Sequence, residues 1–361
     1  MARKQTVETI AYPTGTKSEA KSLIEAMKKQ FPDARVFGVA AQVVNHSEPI
    51  PTGSVTLDWA LGTRGLMPNK IYEIYGPPSS GKSLLVYQII RQVQQTGKLV
   101  VYFDTERSVD ETVTLAWMAK QGVDVDNLIY GRDTAEMAMN LACRCAEDER
   151  VGLIVIDSIA TLELERVVEK DEIGEQKVKS IANLMKPFTS KFNVVTQGAA
   201  LICINQVRAA MGYSAPGAQV YETTGGWAWK HNCQVRIEVK GIKLWDGDGD
   251  KKELVGLAIR TRMIKNKLAS NGKTGEMLYY FGQGIDRADE LTKLGLKHQC
   301  ISRAGAWLSF THDGRELRAQ GTDRFVTEIR NHPDVQDALY EMIMQRRTAT
   351  IEVAPEELDN E

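Results

Sequence analysis

Eight consecutive residues, Gly76-Pro77-Pro78-Ser79-Ser80-Gly81-Lys82-Ser83, satisfy G-x-x-x-x-G-K-[ST] at every fixed position. The pattern makes a phosphate cradle. Glycines let the backbone curl until successive N–H groups aim at one anion, and a helix start just beyond adds unpaired donors and a positive dipole end. Lys82 is expected to reach the β- and γ-phosphates of a nucleoside triphosphate, and Ser83 to offer its hydroxyl to Mg²⁺. The motif fixes the ligand class and leaves the task open.

Four further stretches carry groups suited to such a ligand. Leu153-Ile154-Val155-Ile156-Asp157-Ser158 is an apolar strand ending in an acid, so Asp157 is expected to hold the Mg²⁺ with Ser83, directly or through water. Leu99-Val100-Val101-Tyr102-Phe103 runs into Asp104-Thr105-Glu106. There Glu106 either orients and deprotonates the attacking water or is a solvated strand-end acid. Leu201-Ile202-Cys203-Ile204 ends in Asn205-Gln206. Gln206 can hydrogen-bond the γ-phosphate or its water, and because it opens a long loop, nucleotide state could set the order of that loop. Lys265-Asn266-Lys267 is either a solvated basic turn or a pair of cations that neutralise transition-state charge.

Other patterns fail on inspection. Asp246-Gly247-Asp248-Gly249-Asp250 resembles a calcium loop, but Lys251 stands where the sixth position needs glycine and Leu257 where the twelfth needs glutamate. It reads as a polar hairpin turn. The five histidines show no ligand spacing, and the five cysteines (Cys143, Cys145, Cys203, Cys233, Cys300) fit no zinc pattern and suit a reducing cytoplasm.

The elements that position these groups follow from periodicity. Strands are expected at Ile71–Tyr75, Leu99–Phe103, Leu153–Ile156, Leu201–Ile204, Gln234–Val239 and Leu257–Ile264. Helices are expected at Lys82–Gln95, Glu111–Gln121, Ala135–Ala146 and Val178–Phe192, the last kinked or broken at Pro187. Strand and helix alternate from 51 to 284, which predicts a mostly parallel sheet covered on both faces, with ligands at the carboxyl ends of the strands.

Ahead of this core, Lys17 to Gln30 places Ala20, Leu23, Ile24 and Met27 on one helical face. The segment is too short to fold alone and must pack on its own core or on a neighbouring subunit. After 285 the pattern becomes a helix from Ile285 to Gln299, a short strand pair around Gly305, and one or two helices from Asp323 to Arg347 broken near Pro333. The acidic tail Pro355–Glu361 reads as disordered, for solubility or for electrostatic competition with DNA.

The totals set limits. The chain has 361 residues, enough for one large and one or two small domains, and its net charge of −2 gives no global sign of a nucleic-acid binder. Any DNA contact must come from local basic loops. No apolar run approaches the roughly 18 residues of a membrane span, and the first residues lack the apolar core of a secretory signal.

The ordered set of motifs resembles the bacterial and phage RecA recombinase family. It comprises Pro51-Thr52-Gly53-Ser54, the phosphate loop, the Phe103–Glu106 strand end and Val155–Ser158. It continues with Asn205-Gln206-Val207-Arg208, Thr223-Thr224-Gly225-Gly226, Lys265-Asn266-Lys267 and Ala304-Gly305-Ala306-Trp307. The resemblance covers about 20 to 345. It implies an α/β fold: a RecA-type P-loop ATPase core with an N-terminal helix and linker and a small α+β C-terminal domain. The implied divisions are a polymerisation helix at 1–35, a linker at 36–50, the ATPase core at 51–284, the C-terminal domain at 285–350 and the tail at 351–361.

It also implies an ATP- and Mg²⁺-dependent filament on single-stranded DNA that pairs it with a homologous duplex and exchanges strands. Glu106 matches the catalytic glutamate, Gln206 the glutamine coupling γ-phosphate to the second DNA loop, and Lys265 and Lys267 the lysines that reach ATP across the subunit interface. Asp110 matches an acid near the adenine. About four extra residues precede Gly122-Val123-Asp124, so Trp117 is the candidate adenine-stacking ring. Two loops, around 169–179 and 207–224, match the DNA-binding loops. Their candidate contacts are Lys177, Lys179, Arg208, Met211, Tyr213, Thr223, Thr224, Gly225 and Gly226, with Tyr213 and Tyr221 either stacking on bases or packing the loop. Two rival readings are a non-hydrolysing recombinase paralogue and a ring-shaped helicase motor. The occupied catalytic positions argue against the first, and the N-terminal helix against the second.

Overall fold

The computed structural model describes residues 17–30, 32, 47–106, 109–162, 181–209, 221–247 and 251–352. The chain divides into two compact units, Met1–Glu48 and Pro49–Glu361. In the first, α1 spans Lys17–Gln30, with Lys28 and Lys29 in its last turn and Leu23 exposed.

The second unit is built on one large sheet. Its parallel part is formed by β1 (Ile71–Gly76), β2 (Leu99–Asp104), β3 (Leu128–Gly131), β4 (Val151–Asp157), β5 (Ala200–Ala209) and β7 (Val235–Asp246), in the order β7-β1-β5-β4-β2-β3. Three antiparallel strands, β8 (Glu253–Asn266), β9 (Thr274–Tyr280) and β10 (Gly284–Ile285), extend the β7 side. The short β6 (Tyr221–Thr223) pairs with the far end of β5.

Every residue of β1 and β4 is buried, as expected where helices cover both faces. Alternate residues serve opposite faces. Leu153, Val155, Tyr72 and Ile202 join one core cluster, while Ile154, Ile156, Ile71 and Leu201 join the other. The first cluster is covered by α2 (Val55–Leu61), α3 (Lys82–Gln95) and α4 (Glu111–Lys120). The second is covered by α5 (Ala135–Cys145), α6 (Ile181–Val195) and α7 (Gly226–Asn232).

Beyond the sheet lie α8 (Arg287–Lys297), a small antiparallel sheet of β11 (Ser302–Ala304), β12 (Trp307–His312) and β13 (Arg315–Gln320), then α9 (Thr322–Arg330) and α10 (Pro333–Glu352). Their apolar residues, among them Leu291, Phe325 and Leu339, belong to the same cluster as α2 and α3.

The structure corrects several expected boundaries. Helix α6 runs through Pro187 without a break. Strand β5 does not stop at Ile204 but continues to Ala209, because β1 pairs Asn205 and Gln206 and β6 pairs Val207 to Ala209. Strands β7 and β8 form a longer ribbon than periodicity suggested, reaching Asp246 opposite Glu253, and the expected polar turn at 246–250 lies partly outside the described residues. Strands β3, β6, β9, β10 and β13 had no counterpart in the sequence reading. Among the described residues no helix is long and apolar enough to cross a membrane.

Candidate active site

Strand β1 ends at Gly76 and α3 begins at Lys82, so the phosphate loop occupies the carboxyl edge of the parallel sheet. Two glycines are required there. A Cβ on Gly76 would lie 2.2 Å from the carbonyl oxygen of Val239, and Gly81, the N-cap of α3, has φ +91°. Lys82 is 8% exposed, and its Nζ donates to the carbonyls of Gly76 (3.1 Å) and Pro77 (2.8 Å). Burial lowers its pKa, against the opposing pull of Asp157 and Glu106. The Ser80 hydroxyl is buried without a hydrogen-bond partner at the same loop. An orphaned donor, a curled backbone and a buried ammonium together fit an anionic phosphate chain.

The metal-ligand candidates meet here. Ser83 Oγ lies 3.3 Å from Asp157 Oδ2, which also accepts from the Tyr102 hydroxyl at 2.7 Å. Burial is the main cause that pushes the Asp157 pKa up to about 6, with Glu106 and Asp104 adding to it. A hydroxyl and a carboxylate side by side, both able to present oxygen, fit a hard divalent cation, whose charge would hold Asp157 ionised.

Glu106 lies one strand over. Its backbone N–H donates to the Asp157 carbonyl (3.2 Å) and to Asp104 Oδ1 (3.2 Å), tying the ends of β2 and β4 together. Its side chain is exposed and lines a cavity of about 270 Å³ that Ser83, Asp157 and Trp117 also line. Thr105 donates to the Ser158 carbonyl at 2.8 Å, beside a cis Asp157–Ser158 peptide.

Trp117 borders this cavity and a second one of about 410 Å³ along Ser79–Ser83, where it meets Phe281 edge-on at 5.8 Å. Phe281 was missed in the sequence, although it ends the aromatic run Tyr279-Tyr280-Phe281. Asp110 caps α4, its carboxylate accepting from Thr112 N at 2.9 Å, which lowers its pKa.

Arg132, also missed, binds Asp104 at 2.8 Å and Glu111 at 2.7 Å, and donates to the Val109 carbonyl. It thereby anchors the segment that carries Asp110.

Gln206 stands opposite Gly76 in the β1–β5 register, next to the first residue of the phosphate loop. Past it, β5 and β6 pair through Val207–Thr223, Arg208–Glu222 and Ala209–Tyr221. Thr223 is nearly buried, and its hydroxyl accepts from Arg236 at 3.0 Å. Gly225 and Gly226 both have positive φ and turn the chain into α7. Lys177, Lys179, Met211 and Tyr213 lie outside the described residues.

The structure does not bring Lys265 and Lys267 to the cavities beside Lys82. Lys265 Nζ donates to the carbonyls of Lys230 and His231, both at 2.7 Å, and Lys267 Nζ to His231 O at 3.2 Å. Both therefore cap the carboxyl end of α7. Burial, then Lys267, lowers the pKa of Lys265.

Comparison with known proteins adds to this geometry. The family model described as RecA N-terminal domain matches residues 18–286. Protein RecA of Xanthomonas euvesicatoria pv. vesicatoria (strain 85-10) is 34% identical over 327 residues, covering 90% of this chain and 92% of the relative. Protein RecA of Xanthomonas campestris pv. campestris (strain B100) is 34% identical over 323 residues, covering 88% and 91%.

Proposed function

We propose, from the premise that this chain belongs to the RecA recombinase family, that its phosphate-loop site hydrolyses ATP to drive DNA strand exchange. A RecA recombinase pairs a single strand with a homologous duplex. The observation that carries it is the convergence of Lys82, Ser83, Asp157 and Glu106 at the carboxyl ends of β1, β4 and β2. Such an arrangement has little use other than phosphoryl transfer.

The residues divide the work. The loop N–H groups and Lys82 bind the phosphates, and Lys82 gives up its contacts to Gly76 O and Pro77 O to do so. Ser83 and Asp157 would hold Mg²⁺. When bound, the ion neutralises charge developing on the β- and γ-oxygens. Glu106 orients water and takes its proton, a role worth roughly 10²–10⁴-fold in rate. Trp117 and Phe281 offer an aromatic wall for the base. Gln206, beside Gly76, reports the γ-phosphate to the loop it opens.

Lys265 and Lys267 bond the end of α7 and do not line their own chain's cavities, which supports a role at the site of the next copy in a filament. The 207–224 and 169–179 loops contact DNA, with Arg208, Met211, Tyr213, Lys177 and Lys179 as the candidate contacts and Thr223–Gly226 as the loop's base. The division into polymerisation helix, linker, core, C-terminal domain and tail is part of the same proposal.

Electron microscopy with ATP and single-stranded DNA tests it. Helical filaments, with exchange of a labelled homologous strand, are expected. Closed rings without exchange would mean a motor of another kind.

A further inference from the structure

Glu73 is a fully buried acid in the middle of β1, three residues before the phosphate loop. A lone carboxylate there would be costly, so its partners matter. Its two oxygens are held separately. Oε1 accepts from Asn205 Nδ2 at 2.8 Å, and Oε2 accepts from Arg236 Nε, its register partner on β7.

Both partners reach onward to the base of the second loop. Asn205 Nδ2 also donates to the Thr224 carbonyl at 2.8 Å, and Asn205 Oδ1 accepts the Gln206 N–H at 2.9 Å. The other end of the Arg236 guanidinium donates to Thr223 Oγ1 at 3.0 Å, and its carbon lies 5.0 Å from the Tyr75 ring centre. One carboxylate thus grips both strands of the loop's stem, the outgoing strand at Asn205-Gln206 and the returning strand at Thr223-Thr224. The stem itself is a short ladder of three residue pairs, marginal without outside support.

We infer that Glu73 is a positioning residue that locks the stem of the 207–222 loop to the strand feeding the phosphate loop, through Asn205 and Arg236. The inference rests on the proposed roles of that loop and of Gln206. Without the clamp, phosphate contacts and loop order become separate events. Nucleotide binding then survives while its effect on DNA affinity is lost.

The test is Glu73→Gln, which keeps the side chain's shape and removes its charge. Single-stranded DNA affinity is measured with a non-hydrolysable ATP analogue and with ADP, beside ATP turnover without DNA. The inference expects DNA-free turnover at the wild-type level and a roughly tenfold smaller affinity ratio between nucleotides, the scale of one coupling element. An unchanged ratio in the variant overturns the inference alone. Equal falls in DNA-free and DNA-stimulated turnover, with the ratio kept, also overturn it by marking Glu73 as a general structural residue. A wild-type ratio of one overturns both the inference and the reading beneath it. If Glu73→Gln does not fold, the double variant Glu73→Gln/Arg236→Met replaces the ion pair with a neutral pair, and the same ratio decides.

Discussion

Glu106 and Arg132 show how differently single residues of this site could be found. Glu106 follows a strand and precedes a helix, so spacing offered it as a candidate and the family resemblance supplied the expected role. Replacing it with glutamine keeps its volume and backbone links to Asp157 and Asp104 and removes its basicity. Phosphate release should slow by about 10²–10⁴-fold while filaments on DNA remain visible by microscopy. Loss of DNA binding would show a structural role instead. Arg132 was invisible because its partner Asp104 lies 28 positions earlier in sequence and on another strand. Arg132→Ala should free the 109–111 segment and raise the KM for ATP about fivefold, roughly the net worth of one ordinary hydrogen bond, with a smaller change in kcat. A steady-state titration of ATP separates the two constants.

Helix α2 is bound into the fold at both ends. At its start, Ser54 accepts from Leu57 N, and Glu290 of α8 accepts from Val55 N and from the Ser54 and Thr56 hydroxyls. At its end, Arg347 of α10 donates to the carbonyls of Trp59 (2.6 Å) and Gly62 (3.1 Å). Elements after 285 therefore clamp a helix that precedes the phosphate loop.

Burial pushes Asp58, within α2, up to about 8 and Glu290 up to about 7. A folded pKa above the unfolded one means that the folded state holds more protons, so stability falls as pH rises from the unfolded carboxylate range toward 7–8. Asp58→Asn keeps an oxygen for Thr52 and cannot ionise. It should flatten that fall, gaining on the order of 1–2 kcal/mol over the wild type at pH 8 relative to pH 6. Denaturant melts at both pH values check it, and parallel curves would contradict it.

The strong periodic elements around this clamp were legible. Helix α3 matches its expected limits, since its apolar spacing and the following Gly97 are local signals. Strand β3 was not legible, because four residues at a sheet edge, none fully buried, carry no alternation. The extension of β5 was hidden because Asn205, Gln206 and Arg208 are polar, the first two pairing with the end of β1 and Arg208 with the short β6. The buried Asn205 is held by Glu73, which Arg236 also binds, and no local pattern links the three.

At the scale of the molecule, six parallel strands bring the phosphate loop, Asp157 and Glu106 to one edge, while two lysines suited to transition-state charge point elsewhere. Under the proposed function the chain is an incomplete enzyme that a neighbour finishes, with DNA as the scaffold that brings neighbours together. A net charge of −2 fits the proposed function if attraction to DNA is left to the loops and not to the whole surface.

The most direct measurement is ATP turnover by the full chain with and without single-stranded DNA. The account predicts strong stimulation by DNA in the wild type, and its loss in Lys265→Ala with nucleotide binding retained. Equal turnover with and without DNA would contradict it, because the site would then be complete before any filament formed.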